Sequence, residues 1–275
     1  MVTTEFINIH WKKEQKIFNK NLSIIKKRPG KKPVHDLRVA VKKLRAALNL
    51  FFVITEIRKP EYLLKDTDLL FSTIGKQRDL EICVEIIESA EKETGKKYAV
   101  LKKYIRSLLS VAIKWTRIEV KQYKRRELEE TAVLLKDNLK IFEPEELKNK
   151  ISVIIYSKLN NCRNYYKKPH KLRQNLKEFY YWIKMIPETL LPPFHFEKEL
   201  EQLLEDFGNW QNLTVIEIKL KHFRKDYLPK TFPEYYSTKM LEVLVKEKMD
   251  RLLKASLNKT KVLLRKATAL DKEKP

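Results

Sequence analysis

The chain has 275 residues, with 59 lysines and arginines against 36 aspartates and glutamates, a formal net charge of +23 and a sequence pI of about 9.7. That balance sets it apart from a near-neutral cytosolic enzyme and makes a polyanion the natural partner. A hydrophobic content of 43% excludes a disordered polyelectrolyte, and two cysteines, Cys83 and Cys162, at no metal or redox spacing exclude a disulfide framework.

Few glycines, no long alternating pattern and clustered prolines predict helices throughout. Pro29-Gly30 and Pro33 separate a first helix, about 3–27, from a second that begins near Val34 and is closed by Pro60. No proline occurs between Pro60 and Pro144; Gly75 and the turn at Glu93-Thr94-Gly95-Lys96 are expected to divide this stretch into about three helices, the last over about 97–137. A helix over about 144–166 precedes one that starts at His170, and Pro187 to Pro193 form a loop. Gly208 is expected to interrupt the next helical pair, and Pro229 to Pro233 lead into a long final helix. Residues 1–137 and 138–275 thus carry the same order of elements within one domain. The expected fold is all-α: two antiparallel four-helix bundles related by internal duplication about a pseudo-twofold axis.

The strongest sign of duplication is a histidine-led basic stripe. His35, Arg38, Lys42 and Arg45 fall within about 80° of one another on a helical wheel, and Leu37, Val41, Leu44 and Leu48 lie nearly opposite. His170, Arg173 and Lys177 repeat the stripe, with Leu172, Leu176, Phe179 and Ile183 at the same apolar offsets. Each copy follows a Lys-Lys-Pro, and a glycine comes 40 residues after His35 (Gly75) and 38 after His170 (Gly208). The segment 26–45 holds nine lysines or arginines against Asp36 alone, a self-repulsion that an anion would relieve.

Both histidines sit in a first helical turn, where free N–H groups and the dipole favour an anion. Neighbouring cations disfavour imidazolium in the empty site and a bound phosphate favours it, so binding is expected to tighten as pH falls. Affinities at pH 6 and pH 8 for the native chain and for His35→Ala with His170→Ala test this. Arg38, Arg45 and Arg173 offer planar forks to phosphate oxygens, whereas Lys42 and Lys177 act as point charges. Lys114, Arg117, Lys121 and Lys124 form a third ladder, and Arg251, Lys254, Lys261 and Arg265 a looser fourth. If their helices flank the histidine helices, the ladders line one groove.

Other chemistries lack their signatures. There is no Gly-rich phosphate loop, no metal-spaced Cys/His cluster and no nucleophile elbow, so neither catalysis nor a metal or cofactor is expected. The sequence from Met1 to Phe6 lacks a signal-peptide pattern, and no run of about 18 apolar residues occurs; a cytoplasmic protein without a membrane partner is expected. Nucleic acid is the competing polyanion, with Tyr165, Tyr166, Tyr180, Tyr181 and Trp182 as candidate stacking groups, although their apolar offsets favour the core.

His35-x-x-Arg38-x-x-x-Lys42-x-x-Arg45 followed by Gly75-x-x-Arg78-Asp79-Leu80, with His170-x-x-Arg173-x-x-x-Lys177 as a second copy, resembles the CHAD domain, the conserved-histidine α-helical domain, over essentially the whole chain. The resemblance implies a basic groove or pore between two four-helix bundles and binding of inorganic polyphosphate, a linear polymer stored in granules; phosphate or sulfate is expected to fit the same site. It adds Arg78 to the candidate ligands. Tyr180 stands where the family pattern usually has arginine and Asn212 where it usually has aspartate, so the second half is expected to contribute less charge. No Glu-x-Glu-x-Lys, the mark of the catalytic domain joined to many CHAD domains, is present. The implied protein is a stand-alone binding module.

Overall fold

The computed structural model describes residues 1–193 and 196–272. Over these the chain is all-α: α1 (Glu5–Lys27), α2 (Lys31–Thr55), α3 (Lys65–Thr94), α4 (Ala99–Gln122), α5 (Arg126–Asp137), α6 (Pro144–Cys162), α7 (Pro169–Met185), α8 (Glu197–Asp226) and α9 (Glu234–Lys272). Two short strands interrupt the helical expectation. β1 (Val2–Thr3) pairs antiparallel with β2 (Ile141–Phe142), with Val2 opposite Phe142, and ties the chain start to the turn before α6.

Pro29-Gly30 breaks α1 from α2 as expected: Arg28 and Gly30 are both extended. α2 nevertheless begins at Lys31, three residues before Val34, because Pro33 falls in the first turn, where a missing N–H is tolerated. The glycines behave differently from expectation. α3 and α8 run unbroken through Gly75 and Gly208. An interior glycine costs only about 1 kcal/mol relative to alanine, too little to break a helix that packs along its length.

The expected single helix over 97–137 is instead broken at Tyr123. Its backbone is extended (φ −60°, ψ 124°), its ring is buried against Phe18, and its hydroxyl is 2.8 Å from Thr67 Oγ1. Nearby, the Glu127 carboxylate accepts hydrogen bonds from the Asp66 and Thr67 amides and the Thr67 hydroxyl, capping the start of α3. The corner between α4 and α5 is therefore fixed from a distance in sequence.

The helices close two rings. α1 packs on α2, α2 on α3, α3 on α4 and α4 back on α1, while α6, α7, α8 and α9 do the same; α5 lies on α1. The rings meet through α2 against α7 and α3 against α8. A buried hydrogen bond crosses the first contact, from Trp182 Nε1 to the Ala46 carbonyl at 2.8 Å.

Apolar packing forms two clusters, each drawing on both rings. The larger holds Trp11, Phe18, Leu44, Phe51, Phe179 and Phe207, and the smaller holds Val84, Ile87, Leu101, Ile105, Leu220 and Phe223. Along α3 the division falls between Ile74 and Leu80, and along α8 between Trp210 and Ile216. The interval on α3 is Gly75 to Asp79, and the candidate anion site borders it.

Candidate anion-binding site

The apolar sides of the two histidine helices are seated as the wheel predicts. Leu37, Val41, Leu44 and Leu48 on α2 and Leu172, Leu176, Phe179 and Ile183 on α7 are all buried. The opposite stripe of α2 is thereby turned toward α3 and α7. Phe71 on α3 is its platform: Arg38 Cζ lies 4.1 Å and Arg45 Cζ 4.2 Å from the ring centroid, with Lys42 Nζ at 5.8 Å. Arg38 Nη1 also donates to the Phe71 carbonyl at 2.8 Å. This guanidinium lies against Gly75, where a Cβ would meet Arg38 Nη1 inside van der Waals contact and Arg38 Cζ at 3.2 Å. Gly75 leaves room for this close approach, a packing role distinct from breaking a helix. No neighbour lies within 4 Å of a Cβ at Gly208, and nothing in the structure explains that glycine.

Charges from both rings converge here, and they are unequally compensated. Arg45 donates from Nε and Nη2 to Asp68 Oδ1 at 2.9 and 2.6 Å. Arg78 stands 3.5 Å from both Glu81 and Glu85. Among the described residues Lys42, Arg173 and Lys177 have no carboxylate partner within ion-pair distance, and Arg173 Nε is buried without a hydrogen bond. Burial, reinforced by the nearby charges of Arg38, Lys177, Arg173 and Arg45, lowers the Lys42 ammonium to about 7. Lys177 is lowered by burial and by Arg173. His35, exposed at the edge, is lowered by partial burial and then by Arg78. Asp79 is the carboxyl that faces the cluster; burial raises it, against the pull of Arg38, Lys42, Lys219 and Arg78. Such an arrangement holds positive charge away from bulk water at the junction of two rings, poised to gain from an anion.

The structure thus brings His35 and Lys42 into electrostatic reach of Lys177, and Arg38 and Lys42 into reach of Arg173, with Arg45 and Arg78 beside Arg38. His170 stands apart. It is exposed, with Nδ1 hydrogen-bonded to Gln211 Oε1 at 2.7 Å and its ring 4.6 Å from that of Trp210. Tyr180, in the place of the expected arginine, donates its hydroxyl to Glu201 at 2.6 Å.

Lys114, Arg117 and Lys121 are not drawn in. They are exposed on α4, whose buried Ala112, Thr116 and Val120 face the other way, so that ladder does not line the α2–α7 junction. Arg251, Lys254, Lys261 and Arg265 are likewise exposed on α9. The candidate stacking aromatics serve the core, with Tyr181 and Trp182 buried and Tyr165, Tyr166 and Tyr180 packed against the larger cluster. Sequence reasoning missed Phe71, whose one signal is its place a helical turn before Gly75, and the inward placement of Asp79 among the cations.

Among the described residues no group of three or more His, Cys, Asp or Glu side chains is placed to hold a metal, and no helix is long and apolar enough to cross a membrane. Comparison with known proteins gives a concordant result. Residues 18–150, which include the first histidine helix, Gly75 and Arg78, match the family model of the CHAD domain. No curated protein matches the chain. Among solved structures it is similar to the CHAD domain from the plant Ricinus communis, at 15% sequence identity and a TM-score of 0.72 over 92% of this chain and 91% of that one. The match to the CHAD domain family thus lies in residues 18–150, and the chain has the fold of a CHAD domain over nearly its whole length.

Proposed function

We propose that the protein binds inorganic polyphosphate at the α2–α7 junction, as a non-catalytic module that organises or targets to polyphosphate granules in the cytoplasm. The observation that carries this reading is the uncompensated trio Lys42, Arg173 and Lys177, contributed by both rings, with Lys42 lowered to about 7. The family is known for polyphosphate binding in general. A linear phosphate chain answers such a site better than a nucleic acid. It needs no stacking surface, and the candidate stacking groups Tyr165, Tyr166, Tyr180, Tyr181 and Trp182 are engaged in packing. Arg38 and Arg173 present forked donors, and Lys42 and Lys177 neutralise charge along the polymer. Charge-assisted contacts of about 1.5–3 kcal/mol each would give micromolar binding or better from about four to six of them.

The test is direct binding of labelled long-chain polyphosphate at physiological salt, with and without excess tRNA or duplex DNA, to the native chain and to Arg38→Glu/Lys42→Glu/Arg173→Glu. Tight binding that resists nucleic acid and is lost in the triple variant is the expected result. Displacement by nucleic acid would make the site a general polyanion or RNA site instead. Native affinity in the triple variant would remove the junction from the binding surface. Both ligands weaken with salt, so the slope counts contacts without identifying the ligand.

A further inference from the structure

The third basic ladder has no part in the junction, and its surroundings give it a separate character. On α4 three large apolar side chains are open to solvent: Val111 is 52%, Trp115 60% and Ile118 45% exposed. At 100° per residue they occupy an arc of about 60°. Lys114, Arg117 and Lys121 occupy a neighbouring arc of about 60°, and both arcs lie away from the buried side formed by Leu101, Ile105, Ala112, Thr116 and Val120. The outward face of α4 is therefore itself sorted into an apolar strip and a cationic strip. Among the described residues, none of the three cations has a carboxylate within ion-pair distance.

We propose that this face of α4 docks the protein on a membrane surface containing anionic phospholipids, with Val111, Trp115 and Ile118 seated at the headgroup–acyl boundary and Lys114, Arg117 and Lys121 on lipid phosphates. Charge selects the partner: the cationic strip wants an anion, and a second copy of a chain with net charge +23 would bring like charges together. The apolar strip separates the ligand from a bare phosphate polymer, which has nothing to offer an exposed tryptophan. Shape then favours lipid over an acidic protein. The side chains stand on the crown of one helix, a ridge that enters a fluid surface without needing a matching pocket, and tryptophan beside lysine is the pairing suited to the membrane interface. Peripheral docking needs no spanning helix, so this departs from the expectation of no membrane partner, which rested on the absence of one. It is independent of the polyphosphate reading.

The chain supplies its own probe, because Trp11, Trp182 and Trp210 are buried and Trp115 is exposed. Full-length protein is mixed with vesicles of phosphatidylglycerol and phosphatidylcholine, or of phosphatidylcholine alone. Sedimentation, tryptophan emission and quenching by brominated acyl chains are recorded for the native chain, Trp115→Ser/Ile118→Ser and Lys114→Glu/Lys121→Glu. All three proteins are expected to share the native helical circular dichroism and urea midpoint, which verifies their folding. The expected result is binding to the anionic vesicles only, with blue-shifted emission and quenching in the native chain, and a loss on the order of tenfold or more in either variant. Binding without a change in emission, or equal binding by Trp115→Ser/Ile118→Ser, would mean adsorption through net charge and would overturn the proposal. So would emission that responds to single-stranded RNA or an acidic amphipathic peptide and ignores the vesicles, which would assign the face to that partner.

Discussion

Gly75→Ala adds one methyl group where the Arg38 guanidinium now lies, and its consequences can be worked out term by term. In an isolated helix the substitution stabilises by about 1 kcal/mol. Here the new Cβ displaces Arg38 Nη1, the end of a flexible side chain, from its hydrogen bond to the Phe71 carbonyl and from the Phe71 ring. A hydrogen bond from a charged donor contributes about 1.5–3 kcal/mol and the ring contact about 0.5–1 kcal/mol. The losses exceed the helix gain, and the expected net is a destabilisation of about 1–3 kcal/mol. In an Arg38→Ala background the obstacle is gone, and the same Gly75→Ala change is expected to stabilise by about 1 kcal/mol. This reversal of sign is a double-mutant coupling, read by urea denaturation of the four proteins. Polyphosphate affinity is expected to fall in Gly75→Ala through the misplaced arginine and to be indifferent to residue 75 once Arg38 is removed. Gly208→Ala, with open space around its Cβ, serves as the control and is expected to stabilise. Additive effects of Gly75→Ala and Arg38→Ala on stability and binding would refute the close-approach argument.

Three other outcomes follow from named contacts. Lys42 titrates near 7 in the folded chain against about 10.5 unfolded, so between these values the unfolded state holds more protons and stability of the ligand-free protein rises with pH. Lys42→Met is expected to flatten that rise, measured as the urea midpoint at pH 7 and pH 9.5; on the proposed function, the native chain is expected to take up protons on binding polyphosphate near pH 8 and Lys42→Met to lose that uptake, read by calorimetry in buffers of different ionisation heat. Trp182→Phe removes the side-chain donor that reaches the Ala46 carbonyl across α2 and α7 and is expected to cost about 0.5–1.5 kcal/mol in chemical denaturation. Glu127→Ala frees two amides and a hydroxyl at the start of α3 and is expected to cost about 1–2 kcal/mol, with increased hydrogen exchange at Asp66 and Thr67 as its local signature.

The all-helical class and the cationic stripe of α2 were legible because both rest on helical periodicity, which local sequence carries in full. Leu37, Val41, Leu44 and Leu48 had to lie opposite Arg38 and Lys42 whatever packed around them. What depended on a distant partner was hidden. Gly75 reads as a breaker until Arg38, 37 residues earlier, is placed against it. Nothing in the run from Val120 to Arg126 announces that Tyr123 will leave the helix for the Thr67 hydroxyl. The direction of Lys114, Arg117 and Lys121 was ambiguous because α4 carries two apolar sets, and only packing on α3 shows that Ala112, Thr116 and Val120 turn inward while Val111, Trp115 and Ile118 stay out.

The two cysteines acquire a use from where they lie. Cys83 sits in the smaller apolar cluster and Cys162 in the larger, both fully buried, and burial pushes each thiol up to about 12. Neither can react with an alkylating reagent until its own cluster opens. The unmodified protein therefore carries one exchange clock in each core. Equal alkylation rates, mapped by mass at the two sites, would mark a domain that opens as one cooperative unit, and unequal rates would reveal which end loosens first. Repeating the measurement with polyphosphate present would show whether a ligand held between the two clusters slows both clocks together.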